Sequence, residues 1–108
     1  MKQYSLVFSL FIILLSNNLF ADQGYSTGKV EQLRWYEGHK GLLVVQENMA
    51  DYGQCGRADY YILDDQHDYF KEIYSLILTS HISYWPLTFE VEGCFQGISR
   101  IKHITSNK

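Results

Sequence analysis

The densest group of side chains able to bind a metal ion is the segment from Asp64 to Asp68. It holds three aspartates and His67, and carboxylate and imidazole groups are common ligands of divalent cations. The spacing is not that of an EF-hand loop. The segment directly precedes an apolar helical pattern, which favours a capping turn with Asp65 or Asp68 as the N-cap. We therefore expect no metal site here.

The other residue types used in catalysis lack the spacing of a reaction centre. The four histidines show no HExxH or HxH pattern, and there is no GxSxG elbow, cysteine–histidine signature or phosphate-binding loop. Glu90 and Glu92 share one face of a predicted strand, where alternating glutamates are ordinary on a wet surface. We expect a protein that is not an enzyme and needs no cofactor.

Aromatic side chains are better candidates for ligand contact. The chain has nine tyrosines, and tyrosine combines apolar area with a polar tip. A platform for a sugar or a peptide could be built from Trp35, Tyr36, Tyr60, Tyr61 and Trp85. The alternative is that these rings pack in the core and on strands. The formal net charge of −3 does not favour a nucleic-acid partner.

Residues 1–21 have the layout of a secretory signal peptide. Lys2 supplies a positive charge, Leu6–Leu15 is an apolar run interrupted by one serine, and Ala21 precedes a charged residue. The run is shorter than the roughly 20 apolar residues that a membrane-spanning helix needs. We expect residues 22–108 to form a single exported globular domain, secreted or periplasmic, without a membrane span.

The two cysteines, Cys55 and Cys94, are expected to form a disulfide. An even number of cysteines in an exported chain favours this pairing, and only one intramolecular pair is possible. In the chain-entropy model the bond contributes roughly 4 kcal/mol to stability. The alternative is a catalytic or metal-binding thiol pair, for which the usual CxxC spacing is absent.

Hydrophobic patterning predicts five strands and one helix in the order β-β-β-α-β-β. Residues from Phe70 to His81 recur at helical spacing, and Pro86 follows the end of that helix. Asp22–Gly28 is predicted to be a flexible lead-in and Gly93–Gly97 a turn that carries Cys94. The predicted strands cover Lys29–Tyr36, Leu42–Val45, Asp59–Leu63, Leu87–Glu92 and Ile98–Ile104, with a loop over Glu47–Arg57.

This order predicts an α+β fold. The economical packing is a five-stranded, curled antiparallel sheet crossed by the single helix. The named architecture closest to it is an OB-like, partly open barrel.

Three stretches carry a resemblance to a known family. They are Ser26–Val30, Tyr74–Thr79 and Pro86–Val91, and they are similar to segments of the B subunit of subtilase cytotoxin. The resemblance implies a secreted OB-like subunit that forms a ring of five and binds sialylated glycans. It also implies that Thr27 contacts the sugar, because Thr27 matches the family's hydroxyl residue. The family's acidic residue four positions earlier is replaced by Gln23.

The leading hypothesis is therefore an exported binding domain similar to a toxin B subunit. Its ligand contacts would be made by Ser26 and Thr27 with the nearby aromatics Trp35 and Tyr36. One alternative function is that of a periplasmic inhibitor or accessory protein that binds a protein partner through the Glu47–Arg57 loop. Another is a small metal-dependent enzyme using Asp64, Asp65 and His67.

Overall fold

The computed structural model describes residues 22–107, and the expected signal peptide over residues 1–21 lies outside them. The described chain is an α+β fold with one helix. Its elements are β1 (Gln23–Gly28), β2 (Val30–Trp35), β3 (Gly41–Gln46), β4 (Tyr61–Asp64), α1 (Phe70–Ser83), β5 (Leu87–Phe95) and β6 (Ile98–Thr105).

The six strands form one mixed, partly open sheet in the order β1-β5-β6-β4-β3-β2. Neighbouring strands are antiparallel except β4 and β6, which run parallel with Tyr61 opposite Ser99. The prediction of five antiparallel strands is therefore wrong in number by one strand, and wrong in direction for the pair of β4 with β6 only. The missed strand is β1, predicted as a flexible lead-in. The two residues that β1 turns to the inside are Ser26 and Gly28, so its inward face gives no apolar signal.

The first two strands are consecutive in the chain, yet they form the two edges of the sheet. Only Lys29 separates them, and its carbonyl oxygen accepts a hydrogen bond from the backbone N–H of Glu47 at 3.0 Å. The two edges therefore meet at Lys29, which requires the sheet to curve.

Apolar side chains are buried on both faces of the sheet. The inner cluster packs against α1 through Ile73 and Ile77, and it includes Leu42, Val44, Tyr61, Leu63, Phe89 and Val91. A smaller outer cluster consists of Leu43, Ile62 and Ile98, with Tyr60 and Phe95 partly buried beside it. Strand β3 contributes to both clusters, as its continuous apolar run predicts.

The helix covers the predicted positions, but its predicted N-cap is wrong. The capping position is Tyr69, which makes no side-chain capping bond. The preceding turn is closed differently, because the Asp64 carboxylate accepts the N–H of Gln66 at 2.8 Å and His67 Nδ1 accepts that of Tyr69 at 3.0 Å. The helix ends at Tyr84 in a left-handed conformation (φ 60°), two residues before Pro86.

The predicted disulfide between Cys55 and Cys94 is confirmed, with a Cα–Cα distance of 5.8 Å. Cys94 lies within β5, however, not in the predicted turn over Gly93–Gly97. The turn between β5 and β6 is only Gln96 and Gly97, with φ angles of 51° and 77°. Positive φ values at both central residues are typical of a type I′ turn, in which only two residues connect the strands. The strand therefore extends past Cys94.

The one helix in the described part of the chain is not long and apolar enough to cross a membrane.

Candidate functional site

A groove of about 310 Å³ on the outer face of the sheet combines aromatic and cationic side chains. We call it the outer groove. It is lined by Arg34, Tyr36, His39, Leu43, Arg57, Tyr60 and Ile98. A larger cavity of about 430 Å³ near the end of α1 is lined by apolar and hydroxyl-bearing side chains. The outer groove offers more varied chemistry, since its rings and charges lie together.

Strand register explains why these residues meet. Arg34 lies opposite Leu43, and Leu43 lies opposite Ile62 on the next strand. Opposed residues project to the same face, so the arginine stands beside the outer apolar cluster. Successive residues alternate between faces, and Trp35 accordingly packs against the helix. Its ring centroid lies 5.9 Å from that of Tyr74.

The Arg34 guanidinium lies over two tyrosine rings. Its central carbon is 5.5 Å from the Tyr36 centroid and 5.9 Å from the Tyr60 centroid. Both distances fall within the range of cation–π attraction. Among residues 22–107, no carboxylate lies within ion-pair distance of Arg34. Its positive charge is therefore uncompensated within the described groove.

Arg57 is held differently, because its charge is matched by Asp59. Its Nε and Nη2 atoms each donate to a separate carboxylate oxygen at 2.6 Å. This side-chain hydrogen bonding raises the pKa of Arg57 and lowers the pKa of Asp59. The same guanidinium lies 5.8 Å from the Tyr60 centroid. Tyr60 thus lies between two arginines, of which only Arg34 lacks a carboxylate partner in the described chain.

The rim of the outer groove is formed by the turn between β2 and β3. The His39 ring stands edge-on to Tyr36 at 88°, with centroids 5.9 Å apart. Its Nδ1 atom is buried and has no hydrogen-bond partner among the described residues. Buried ring nitrogens are normally paired, so this atom has an unused capacity for a hydrogen bond.

The side chain of Gln96 ties this rim to the turn between β5 and β6. Its Oε1 accepts the N–H of Lys40 at 2.7 Å, and its Nε2 donates to the carbonyl oxygen of Gly38 at 3.1 Å. The two turns are therefore linked through one amide that acts as both donor and acceptor.

The segment before β4, which carries Arg57 and Tyr60, is anchored to the sheet. The Asp51 carboxylate accepts the N–H groups of Cys55 and Gly56, each at 2.8 Å. The N–H of Gly53 donates to Ser99 Oγ at 3.1 Å, and the disulfide joins Cys55 to β5. These bonds position the cationic and aromatic side of the outer groove without a ligand.

The four residues predicted to contact ligand lie in different surroundings. Ser26 is buried, with its hydroxyl donating to Gln46 Oε1 at 2.7 Å and lying 2.7 Å from the Tyr61 hydroxyl. Thr27 is exposed, and its Oγ1 lies 2.7 Å from that of Thr88. Ser26 is thus part of the core, while Thr27 lies on the surface of the β1–β5 pair.

Trp35 and Tyr36 are both about half exposed, but the structure separates them. Trp35 packs beside α1, whereas Tyr36 lines the outer groove. Tyr36 is therefore the one predicted contact found there. Ligand contact by Ser26, Thr27 and Trp35 stays a prediction.

The predicted aromatic platform forms only in part. Tyr36 and Tyr60 share the outer groove, whereas the Tyr61 side chain is completely buried, as the alternative of core packing predicts. Trp85 lines the cavity near the end of α1 instead. Sequence reasoning missed Arg34, His39 and Arg57. Arg34 had a usable signal, since it lies two residues before Tyr36 on a predicted strand and so shares its face.

The acidic segment before α1 is used for structure. His67 Nε2 lies 2.9 Å from the carbonyl oxygen of Lys102, and Asp64 Oδ2 lies 3.6 Å from Arg100 Nε. Within residues 22–107 there is no cluster of three or more His, Cys, Asp or Glu arranged to hold a metal ion.

No family model, curated protein or solved structure matches this chain.

Proposed function

We propose that this chain is an exported, non-enzymatic domain that binds a glycan in the outer groove. The observation that carries the proposal is the place of the groove in the fold. When β1 and β2 are counted as one bent strand, the strand order supports an OB-like barrel. In such barrels, the second and third strands and the loops 1–2 and 4–5 bind oligosaccharides and oligonucleotides.

The outer groove occupies the corresponding place in this chain. Its floor includes Leu43 of β3, and Tyr60 directly precedes β4, so these two strands correspond to the second and third. His39 lies in the turn that corresponds to loop 1–2. Gln96, in the turn corresponding to loop 4–5, is hydrogen-bonded to that first turn.

Aromatic side chains favour a sugar as the ligand. Tyr36 and Tyr60 present ring surface with polar hydroxyl tips, a combination suited to a ligand with apolar faces and hydroxyl edges. The groove volume of about 310 Å³ lies at the lower end of the range for small-molecule sites. A short glycan segment, one or two rings at a time, fits this space.

Export is part of the same proposal. The Cys55–Cys94 disulfide fits an oxidising compartment, which agrees with the signal-peptide pattern of residues 1–21. The resemblance to toxin B subunits further suggests assembly into a ring of five. It also suggests a second sugar contact at Thr27, on the surface of β1.

A glycan array combined with a mass measurement in solution tests the proposal. We expect selective glycan binding that the variant Tyr36→Ala weakens about fivefold, since loss of one aromatic contact costs about 1 kcal/mol. Tyr84→Ala removes another exposed tyrosine, outside the outer groove, and should bind normally. Absence of any glycan signal, together with a monomer mass, would overturn the proposal.

The rival function, binding of a protein partner, is favoured by the ordered loop over Glu47–Arg57. The disulfide and the Asp51 carboxylate fix this loop, so it could present a surface of defined shape. A pull-down from periplasmic extract discriminates the two functions. A single stoichiometric protein partner without glycan binding would favour the rival.

A further inference from the structure

We infer that the outer groove contains a site for a singly charged, tetrahedral oxyanion, so that its glycan ligand carries a sulfate ester. The inference rests on the proposed function, because it identifies which class of glycan the groove selects. It depends on Arg34, His39 and Arg57, which line the same space.

The first support is the uncompensated charge of Arg34. Its contacts with Tyr36 and Tyr60 use the face of the guanidinium. Within the described chain, none of its five N–H donors is committed to a hydrogen bond or ion pair. A half-buried guanidinium with free donors is suited to an anion, because charge-assisted hydrogen bonds are about twice as strong as neutral ones.

The second support is that donors approach the groove from three different elements. Arg34 lies on β2, His39 in the following turn, and Arg57 in the segment before β4. His39 adds a buried Nδ1 without a partner in residues 22–107. Arg57 keeps its Nη1 donors, because the bonds to Asp59 use Nε and Nη2.

This arrangement favours a tetrahedral anion over a carboxylate. A carboxylate pairs best with a guanidinium in one plane, through two parallel hydrogen bonds. A sulfate ester offers three terminal oxygens pointing in different directions, which suits donors that come from separate elements.

The charge balance favours sulfate over a phosphate monoester. Asp59 neutralises Arg57, so the two arginines of the groove contribute one net positive charge, that of Arg34. A sulfate ester carries one negative charge, whereas a phosphate monoester carries about −1.5 to −2 at neutral pH. A long polyanion such as an oligonucleotide is disfavoured, because the chain has a formal net charge of −3.

Calorimetric titration of the purified protein with matched probes tests the inference. The probes are a disaccharide, its sulfated, phosphorylated and uronic-acid forms, and a short single-stranded oligonucleotide. We expect the sulfated form to bind at least tenfold more tightly than the unmodified one, as expected for a charge-assisted hydrogen bond. Arg34→Gln should abolish that preference, so that the sulfated and unmodified disaccharides bind this variant with equal affinity.

Two further variants distinguish binding of the sulfate at a specific site from non-specific attraction to the positive charges of the protein. Lys71→Gln removes the same charge from an exposed position on α1, across the sheet, and should keep the sulfate preference. His39→Phe keeps an aromatic ring beside Tyr36 but removes the N–H donor, and should reduce the preference about threefold to tenfold. Thermal melting checks that each variant is folded.

The outcomes distinguish this inference from the proposed function. Equal affinity for the sulfated and unmodified forms overturns the sulfate site but leaves glycan binding intact. Failure of every sugar to bind overturns both. Tighter binding of the phosphorylated form, the uronic acid or the oligonucleotide overturns the assignment to sulfate.

Discussion

Three buried polar side chains, Ser26, Gln46 and Tyr61, join the strands on the inside of the sheet. Gln46 Nε2 donates to the carbonyl oxygens of Ser26, Gly28 and Leu87 at 3.3, 3.1 and 2.8 Å. Because Ser26 donates its one proton to Gln46 Oε1, the Tyr61 hydroxyl can donate to Ser26. The network thus satisfies polar groups that burial would otherwise leave unpaired.

Tyr61 should make the stability of the fold sensitive to alkali. Burial raises the pKa of the Tyr61 phenol above its ordinary value. The folded state therefore favours the protonated form, and this stabilisation is complete below pH of about 10 and lost as pH rises towards the folded pKa. Tyr61→Phe should lower the free energy of unfolding by about 1 kcal/mol at pH 7. Between pH 9 and 11, this variant should lose less stability than the unmodified protein does.

Urea unfolding at several pH values measures this difference. Tyr84→Phe, an exposed tyrosine, should follow the unmodified protein throughout. If Tyr61→Phe and the unmodified protein lose stability in parallel above pH 9, the assigned role of the Tyr61 phenol is wrong.

At the scale of elements, local patterns identified the helix and five of the six strands. The helical spacing from Phe70 and the alternation after Pro86 each reflect one buried face, which a local pattern can report. Strand β1 was missed because it is stabilised by backbone pairing with β5, and its inward face carries no apolar side chains that a sequence pattern could show. The parallel pairing of β4 with β6 depends on residues far apart in sequence, which no local pattern encodes.

The candidate site was predicted less completely, for a related reason. Tyr36 and Tyr60 could be named as candidate platform aromatics, but the outer groove also needs Arg57 and His39 from separate segments. Their meeting depends on strand register and on the anchored segment before β4. Sequence alone gives residue types, while the fold decides which of them share a surface.

That anchored segment should be sensitive to any side chain at Gly53. A Cβ at this position would lie 2.8 Å from Ser99 Oγ and closer still to the carbonyl oxygen of Gly93. We expect Gly53→Ala to destabilise the protein by about 2 kcal/mol, in the range found for overpacked sites. It should also weaken the proposed glycan binding, since displacement of the segment moves Arg57 and Tyr60.

Chemical denaturation and glycan titration measure the two effects of Gly53→Ala. Ala58→Ser, an exposed change in the same segment, serves as the control. Stability and affinity both equal to those of the control would show that the segment does not depend on this close packing.

For the whole molecule, the disulfide should contribute a large share of the stability. Cys55 and Cys94 are separated by 39 positions, and closing a loop of that length is worth about 4 kcal/mol in the chain-entropy model. A small domain has only about 5–15 kcal/mol in total. We expect the Cys55→Ala, Cys94→Ala double variant to lose about 4 kcal/mol of its free energy of unfolding and to weaken the proposed glycan binding.

Urea unfolding with and without reductant checks the disulfide prediction. The unmodified protein should shift towards the double variant when reduced, and the double variant should not respond. Equal unfolding midpoints for all four samples would mean that the disulfide does not stabilise the fold. The inference of an oxidising compartment would then lose its structural support.

The pairing of β1 with β5 also constrains how the chain can fold as it is made. Gln23 lies opposite Glu92, so β1 cannot form its ladder until β5, 69 positions later in the chain, has been synthesised. Such distant pairings slow folding, because most of the chain must be ordered before they form. Completion of the sheet is thus postponed until β5 and β6 have also been synthesised, because β1 contacts only β5 among the strands of the sheet.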